Sequence, residues 1–311
     1  MKRFMLLLLS GVLFLNINAQ ETIDILSLTG RYGIPGAYSN PNYTGKATEW
    51  GSVNSLQAGF NVAPKTMVVF NLNHFYFNLQ GDPEPAFPAE IASPVVINGI
   101  ILRAGIRQFF SNGRMLQLMV APRLMSDFRN VDGNSFQFGA LASFSKRYHE
   151  DLSLGFGAMY NNDLFGPYLV PIFDLNWRFA EKWRVWGMFP ITLRVEYSVN
   201  ENMIAGFNHF GLITTYALGE DAYNGDYLER QSIDLSLFLR QRLAGNIFVE
   251  GMFGRALGRS YRQFEADQKV DFAIPLIAFG DDRVVKNDID TDFDGGFIFT
   301  LKLIYNMPMP E

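Results

Sequence analysis

Alternation of apolar and polar side chains with a period of two recurs along most of this chain. Between residues 232 and 240, for example, isoleucine or leucine fills every second position, and similar alternation returns at 100–107 and 152–161. A period of two is typical of β-strands whose two faces meet different surroundings. Segments of about ten such residues, separated by turns, are typical of a transmembrane β-barrel.

Turns divide the chain into fourteen predicted strands, provided that it breaks at Pro190. Proline cannot donate to a strand ladder, so a turn there is reasonable. Short turns then alternate with longer polar loops, which places both termini at the periplasmic end of an up-and-down antiparallel barrel. Twelve strands is the alternative, because the pattern is weakest at 26–36 and beside Pro190. The predicted strands lie near 26–36, 50–62, 66–79, 97–110, 114–127, 134–147, 151–162, 167–179, 183–189, 191–199, 202–218, 228–243, 246–258 and 293–305.

A soluble β-sandwich would show the same alternation, so composition and strand length must separate the two all-β classes. Aromatic residues make up 15% of the chain and charged residues only 18%, against roughly 25% charged in soluble domains. Most of the predicted strands are about twice as long as the roughly 5–6 residues usual in globular proteins. These features favour the membrane barrel.

The first nineteen residues read as a cleaved signal peptide. Lys2 and Arg3 precede an apolar run at 4–15, and Ala19 is a small residue at the expected cut. The run is shorter than the roughly 20 residues of a membrane-spanning helix. We therefore predict an exported chain in which 20–311 form one barrel domain in the outer membrane.

The expected partners are outer-membrane lipids and, during biogenesis, the barrel-insertion machinery. The run from Phe297 to Tyr305 alternates and ends in an aromatic residue, which resembles the C-terminal signal that this machinery reads, although six residues follow it. The acidic net charge of −5 argues against nucleic acid as a partner. A monomer is expected.

Strand parity places a set of charged residues and one tryptophan on the inward face. On the lipid face a charge would cost about 2–4 kcal/mol at the membrane midplane. Because arginine predominates inside, one hypothesis is a solute path that prefers anions. The other is a network of arginine–carboxylate pairs that fills the lumen, which mixed charges in a confined space favour. The predicted lumen residues include Arg103, Arg107, Arg123, Trp186 and Arg240.

Two motifs raise the question of a metal site or a catalytic site. Asp290, Asp292 and Asp294 start a D-x-D-x-D-G pattern, but Leu301 stands where a calcium loop needs its glutamate, so we expect at most a loose Ca²⁺ site. His74 and His209 each lie in an Asn-His-Phe tripeptide. A lipid-modifying enzyme would need a nucleophilic serine beside such a histidine, and no serine motif is present. We predict no catalytic residues, no cofactor and no enzyme.

Three tryptophans cluster around one charged turn at 180–182. By parity Trp177 and Trp183 face lipid near the turn, where indole rings form an aromatic girdle at the headgroup level. Trp186 has the opposite parity and is expected inside.

The segment around this turn resembles a family of uncharacterised outer-membrane β-barrels, known as a domain of unknown function. That family implies a fold and a location but no activity. The stretch from Asn40 to Tyr43 is also similar to the barrel subunit of a gliding-type protein secretion system. The residues that carry the first resemblance are Trp177, Phe179, Trp183, Phe189, Pro190, Leu193, Glu196 and Tyr197.

The sequence therefore predicts a non-enzymatic outer-membrane β-barrel that passes or binds a small solute, or serves as an envelope scaffold. A membrane component of a secretion system and a lipid-modifying enzyme are the alternatives.

Overall fold

The computed structural model describes residues 22–38, 44–83, 86–289 and 296–308. Fourteen long strands form a closed antiparallel barrel, in which each strand pairs with its neighbours and the first pairs with the last. The fourteen-strand prediction is confirmed. The wall strands are β1 (Thr22–Gly33), β3 (Lys46–Ala63), β4 (Thr66–Asp82), β5 (Val95–Phe109), β6 (Arg114–Ser126), β7 (Phe136–His149), β8 (Leu152–Asp163), β9 (Gly166–Ala180), β10 (Trp183–Phe189), β11 (Thr192–Asn200), β12 (Met203–Ala217), β13 (Tyr227–Ala244), β14 (Ile247–Phe264) and β18 (Phe297–Pro308).

In the described part of the chain, four short strands lie outside the wall: β2 (Gly36–Ala37), β15 (Phe272–Ile274), β16 (Ile277–Phe279) and β17 (Asn287–Ile289). None of the helices among the described residues is long and apolar enough to cross a membrane. The predicted signal peptide lies outside the described residues and stays a prediction.

Several strand boundaries differ from those predicted, and the largest difference is at β14, which ends at Phe264 rather than near 258. The first strand begins at Thr22 rather than near 26, and the last ends at Pro308 rather than near 305. The register between them shifts between Asp24 and Leu26, and an irregularity of this kind interrupts the alternation that sequence reasoning follows. The break at Pro190 is confirmed, since β10 ends at Phe189 and β11 begins at Thr192.

The outer face of the wall is apolar. Leu237 and Leu301 are 67% and 61% exposed, whereas the inward Arg194 and Arg240 are buried. A broad groove of about 1130 Å³ indents the outside of β1, β18 and β10–β14, and outward side chains such as Phe253 line it. An apolar exterior around a polar interior is the arrangement that a bilayer requires of a barrel.

The barrel is pinched at its long-loop end. The end of β12 reaches across to β6, six strands away around the wall, and Ala217 pairs in parallel with Ser126. Asp127 accepts from the backbone of Gly219 at 3.0 Å. A Cβ at Gly219 would lie 2.5 Å from the Asn130 backbone, so only glycine allows the loops to approach this closely.

The pinch separates two buried clusters. On one side of β12, Tyr216 packs with Phe77 and Ile97. On the other side, Phe165, Tyr168 and the loop residue Val270 pack with the ends of β13 and β14. Both clusters fill space at the long-loop end that a cylindrical barrel would leave open.

The long loop after β14 folds back over the rim. Its strand β15 lies parallel to β9, where Ala273 meets Tyr168, above the short β10 and β11. Arg283 ties the loop to β13 by donating to Glu229 at 2.9 Å, and within the loop it donates to Asp281 at 2.9 Å. The bond from Arg283 holds the pKa of Asp281 below its usual range.

Candidate functional site

The structure places all five predicted lumen residues on the inward face. Arg123 and Arg240 are buried, and Arg103, Arg107 and Trp186 are half-buried. These residues divide between two sides of the lumen with different chemistry. We call the side formed by β11–β14, β18, β1 and β3 the ion-pair side, and the side formed by β4–β10 the methionine side.

A first network on the ion-pair side is centred on Glu49, which is fully buried. Arg31 and Arg230 each donate to its carboxylate at 2.9 Å, and Arg259 lies 3.6 Å away. The hydroxyl of Tyr261 donates to the same carboxylate. One carboxylate thus holds three guanidinium groups from β1, β13 and β14.

A second network lies nearer the short-turn end of the same side. Glu250 is fully buried and pairs with Arg194 and Arg240, each at 2.8 Å, and with Lys302 at 3.5 Å. Arg240 also donates to Asp24 at 2.9 Å. Arg240 therefore belongs to a paired network rather than to a free anion path, as the second sequence hypothesis anticipates for this half of the barrel.

The methionine side differs because two of its arginines, Arg103 and Arg107, lack such partners, whereas Arg123 pairs with Asp163 at 3.4 Å. Arg103 donates to the amide oxygen of Asn71 at 3.1 Å, and Arg107 donates to that of Gln117 at 2.7 Å. Within the described part of the chain, neither guanidinium forms an ion pair within 4 Å. Asp174 on β9 attracts Arg107 electrostatically from beyond 4 Å, so the charge of these two arginines is neutralised less completely than that of Arg194 and Arg240.

Apolar side chains also pack into this side of the lumen. Met67, Val69, Met119, Leu141 and Ile172 form a buried cluster of inward residues. Unbranched methionine side chains change rotamer more readily than branched ones. This methionine cluster links inward side chains of β4, β6, β7 and β9, and its methionines are able to change rotamer.

Arg123 lies at the pinch with partners that sequence reasoning missed. Gln137 is its cross-strand neighbour on β7, and Asp163 at the end of β8 lies 3.4 Å from its Nη1. Thr215 of β12 donates to Asp163 at 3.4 Å, and its carbonyl accepts from Gln137 at 3.0 Å. Asp163 lies between the predicted strands 151–162 and 167–179, so parity does not assign it to the lumen.

The tryptophans separate as parity indicates. Trp177 and Trp183 are outward and more than 40% exposed, and Phe179 packs between them, with ring centroids 5.4 and 6.1 Å away. The Trp186 ring lies inside, 5.7 Å from the Arg184 guanidinium and 5.8 Å from that of Arg194.

The other candidate residues do not form a site in the described chain. His74 faces outward with Asn54 3.4 Å from its Nδ1, and His209 packs on the ring of Phe189. Neither histidine hydrogen-bonds a serine hydroxyl within the described residues. The calcium candidates Asp290, Asp292 and Asp294 lie outside the described residues, so that site stays a prediction.

A closed antiparallel wall with an apolar exterior and a charged lumen defines the outer-membrane class of β-barrels. The chain belongs to the family of the domain of unknown function DUF6268, whose model matches residues 60–270. The resemblance to an uncharacterised family of outer-membrane barrels is therefore confirmed. Nothing among curated proteins matches the sequence.

Several solved membrane barrels are similar to this chain in fold. The COG4313 outer membrane channel from Pseudomonas putida F1 is 11% identical, with 94% of this chain and 97% of that chain covered and a TM-score of 0.44. The NanC porin is 10% identical, with coverages of 90% and 98% and a TM-score of 0.36. The TodX monoaromatic hydrocarbon channel is 11% identical, with coverages of 93% and 90% and a TM-score of 0.36.

Proposed function

We propose that the protein is a non-enzymatic outer-membrane channel that passes small anionic solutes along the methionine side of its lumen. The observation that carries this proposal is the hydrogen bonding of Arg103 and Arg107. Both point inward, and their hydrogen-bond partners are the neutral amides of Asn71 and Gln117.

Arginine charge in a narrow lumen attracts anions, because low-dielectric walls focus the field of the protein into the passage. Rings of arginine or lysine are a general device for selecting anions in pores. On the ion-pair side the same residue type is neutralised by Glu49 and Glu250. The solute path is therefore assigned to the methionine side.

Single-channel recording in planar bilayers tests the proposal with the purified full chain. Discrete conductance steps are expected, with frequent closures because the methionine cluster fills the path at rest. Heat-modifiable migration on gels would first establish that the protein is folded.

An envelope scaffold is the second candidate, and the packed lumen favours it. The Glu49 and Glu250 networks and the methionine cluster together occupy much of the interior. If the protein is a scaffold, the folded protein should not conduct, even when a methionine of the cluster is replaced by a smaller residue. A secretion-system component would give the same electrical result and would co-purify with other envelope proteins.

A further inference from the structure

Three polar side chains on adjacent strands meet beneath the pinch. Arg123 on β6, Gln137 on β7 and Asp163 at the end of β8 are 6%, 6% and 4% exposed. Each already makes some contacts: Arg123 Nη1 lies near Asp163 Oδ1, and Gln137 Nε2 donates to the Thr215 carbonyl. These contacts use only some of the hydrogen-bond donors and acceptors of the three side chains.

Four buried atoms in this group have no hydrogen-bond partner among the described residues. They are Nε and Nη2 of Arg123, Oε1 of Gln137 and Oδ2 of Asp163. A buried polar atom without a partner costs about 1–3 kcal/mol. Two free donors and two free acceptors in one place therefore indicate an occupant that satisfies both kinds.

The free atoms specify the chemistry of that occupant. Nε and Nη2 lie on the same edge of the Arg123 guanidinium and form a fork of two parallel donors, which matches a carboxylate. Asp163 Oδ2 and Gln137 Oε1 need a donor, which a hydroxyl or an ammonium group supplies. One small molecule that carries a carboxylate beside such a donor satisfies both requirements.

A cavity at the long-loop end reaches two of the three residues, Gln137 and Asp163, and Arg123, which does not line it, lies 3.4 Å from Asp163. The cavity measures about 300 Å³, and Gln137, Asp163, Asn134 and Lys269 are among its lining residues. This volume lies at the lower end of the roughly 300–1,000 Å³ range of ligand pockets. Lys269 is exposed at the cavity, where its charge draws anions inward.

We propose that Arg123, Gln137 and Asp163 form a binding site for a small carboxylate that carries an adjacent hydroxyl or ammonium group. This proposal rests on the proposed function, because the site would be the first binding site that a solute meets on entering the path. The competing occupant is buried water, which commonly satisfies such groups.

Binding to the purified full chain in detergent is measured by isothermal titration with four probes. L-Lactate carries a carboxylate and a hydroxyl, and L-alanine carries a carboxylate and an ammonium. Propionate and glycerol each lack one of the two required features. Lactate or alanine is expected to bind at least ten-fold more tightly than propionate and glycerol, and the stronger of the two identifies the donor.

Three variants locate the binding. Arg123→Lys keeps the charge but removes the fork, and should weaken binding at least ten-fold. Gln137→Glu keeps the shape but sets a second carboxylate beside the ligand, and should weaken it as well. Arg178→Gln changes an exposed arginine at the short-turn end and should bind as wild type.

The proposal would be overturned if neither lactate nor alanine bound more tightly than propionate, or if binding were unchanged in both site variants. The absence of any heat at about 10 mM probe, ten times a millimolar Kd, would also overturn it and would leave water as the occupant. Conductance without binding of either lactate or alanine overturns the site alone. Binding without conductance overturns the passage of solutes and leaves the site standing.

Discussion

Arg230 of β13 and Glu49 of β3 form an ion pair of 2.9 Å, although 181 residues separate them in the sequence. Their strands are not neighbours in the wall, so the contact links two parts of the barrel through the lumen. Glu49 also pairs with Arg31 and Arg259. Removing the Glu49 carboxylate would therefore leave these two arginines and Arg230 close together without the negative charge that they share.

Glu49→Gln should therefore destabilise the barrel strongly. Removing one partner from a buried ion pair costs about 3–5 kcal/mol. Urea unfolding of protein inserted in lipid vesicles measures the loss. Glu265→Gln, at an exposed loop position, is the matched control and should change stability little. A variant as stable as this control would show that Glu49 is not the centre of the network.

Shortening a methionine in the lumen should open the path. Met119→Ala removes side-chain volume from the cluster that includes Met67 and Leu141, so the single-channel conductance should rise. The outward neighbour Leu118, 42% exposed, provides the control Leu118→Ala. Equal conductance in the two variants and in wild type would show that the methionine cluster does not block the solute path.

The long loop should loosen when Arg283 is replaced. Arg283→Gln removes the ion pairs with Glu229 and Asp281, so chymotrypsin should cleave near Phe272 and Phe279 faster than in wild type. The barrel itself should stay intact on gels. Unchanged cleavage would mean that packing of Val270 and its neighbours holds the loop without Arg283.

Acid should loosen the loop itself, because Asp281 and Arg283 bond to each other within it. Hydrogen bonding to Arg283 lowers the pKa of Asp281, so the ionised carboxylate adds stability above its unfolded pKa of about 3.9. That contribution is lost as the pH falls through the lowered pKa. Hydrogen exchange in the loop should therefore rise below about pH 4 in wild type and depend less on pH in Asp281→Asn.

Much of the fold could be predicted from the sequence because a barrel wall is a local pattern. Alternation of apolar and polar residues assigns each side chain to lipid or lumen, and Pro190 marks the break that gives fourteen strands. The start of β1 was misplaced because its pairing with β18 shifts register between Asp24 and Leu26.

The candidate site depends on contacts that no local pattern records. Parity places Arg123 inside, but it does not reveal that β12 crosses the barrel to bring Thr215 to Asp163. Parity also cannot divide the arginines into paired and unpaired sets. Arg240 is paired because Glu250 on the next strand and Asp24 on β1 both reach it. The Arg103 guanidinium instead donates to the neutral amide of Asn71, and parity is the same for both arginines.

The three clustered tryptophans should report different surroundings. In variants that retain one tryptophan each, lipids labelled with a quencher near the headgroup should quench Trp183 strongly. Trp186, inside the barrel, should be quenched little. Strong quenching of Trp186 would contradict its place in the lumen, and weak quenching of Trp183 would contradict the girdle.

The reversal potential in a salt gradient tests the central proposal most directly. Wild-type channels should prefer anions, and Arg103→Gln/Arg107→Gln should shift the reversal potential towards the cation side, while Arg178→Gln leaves it unchanged. A cation-selective wild type, or a double variant with unchanged selectivity, would contradict an anion path along the methionine side.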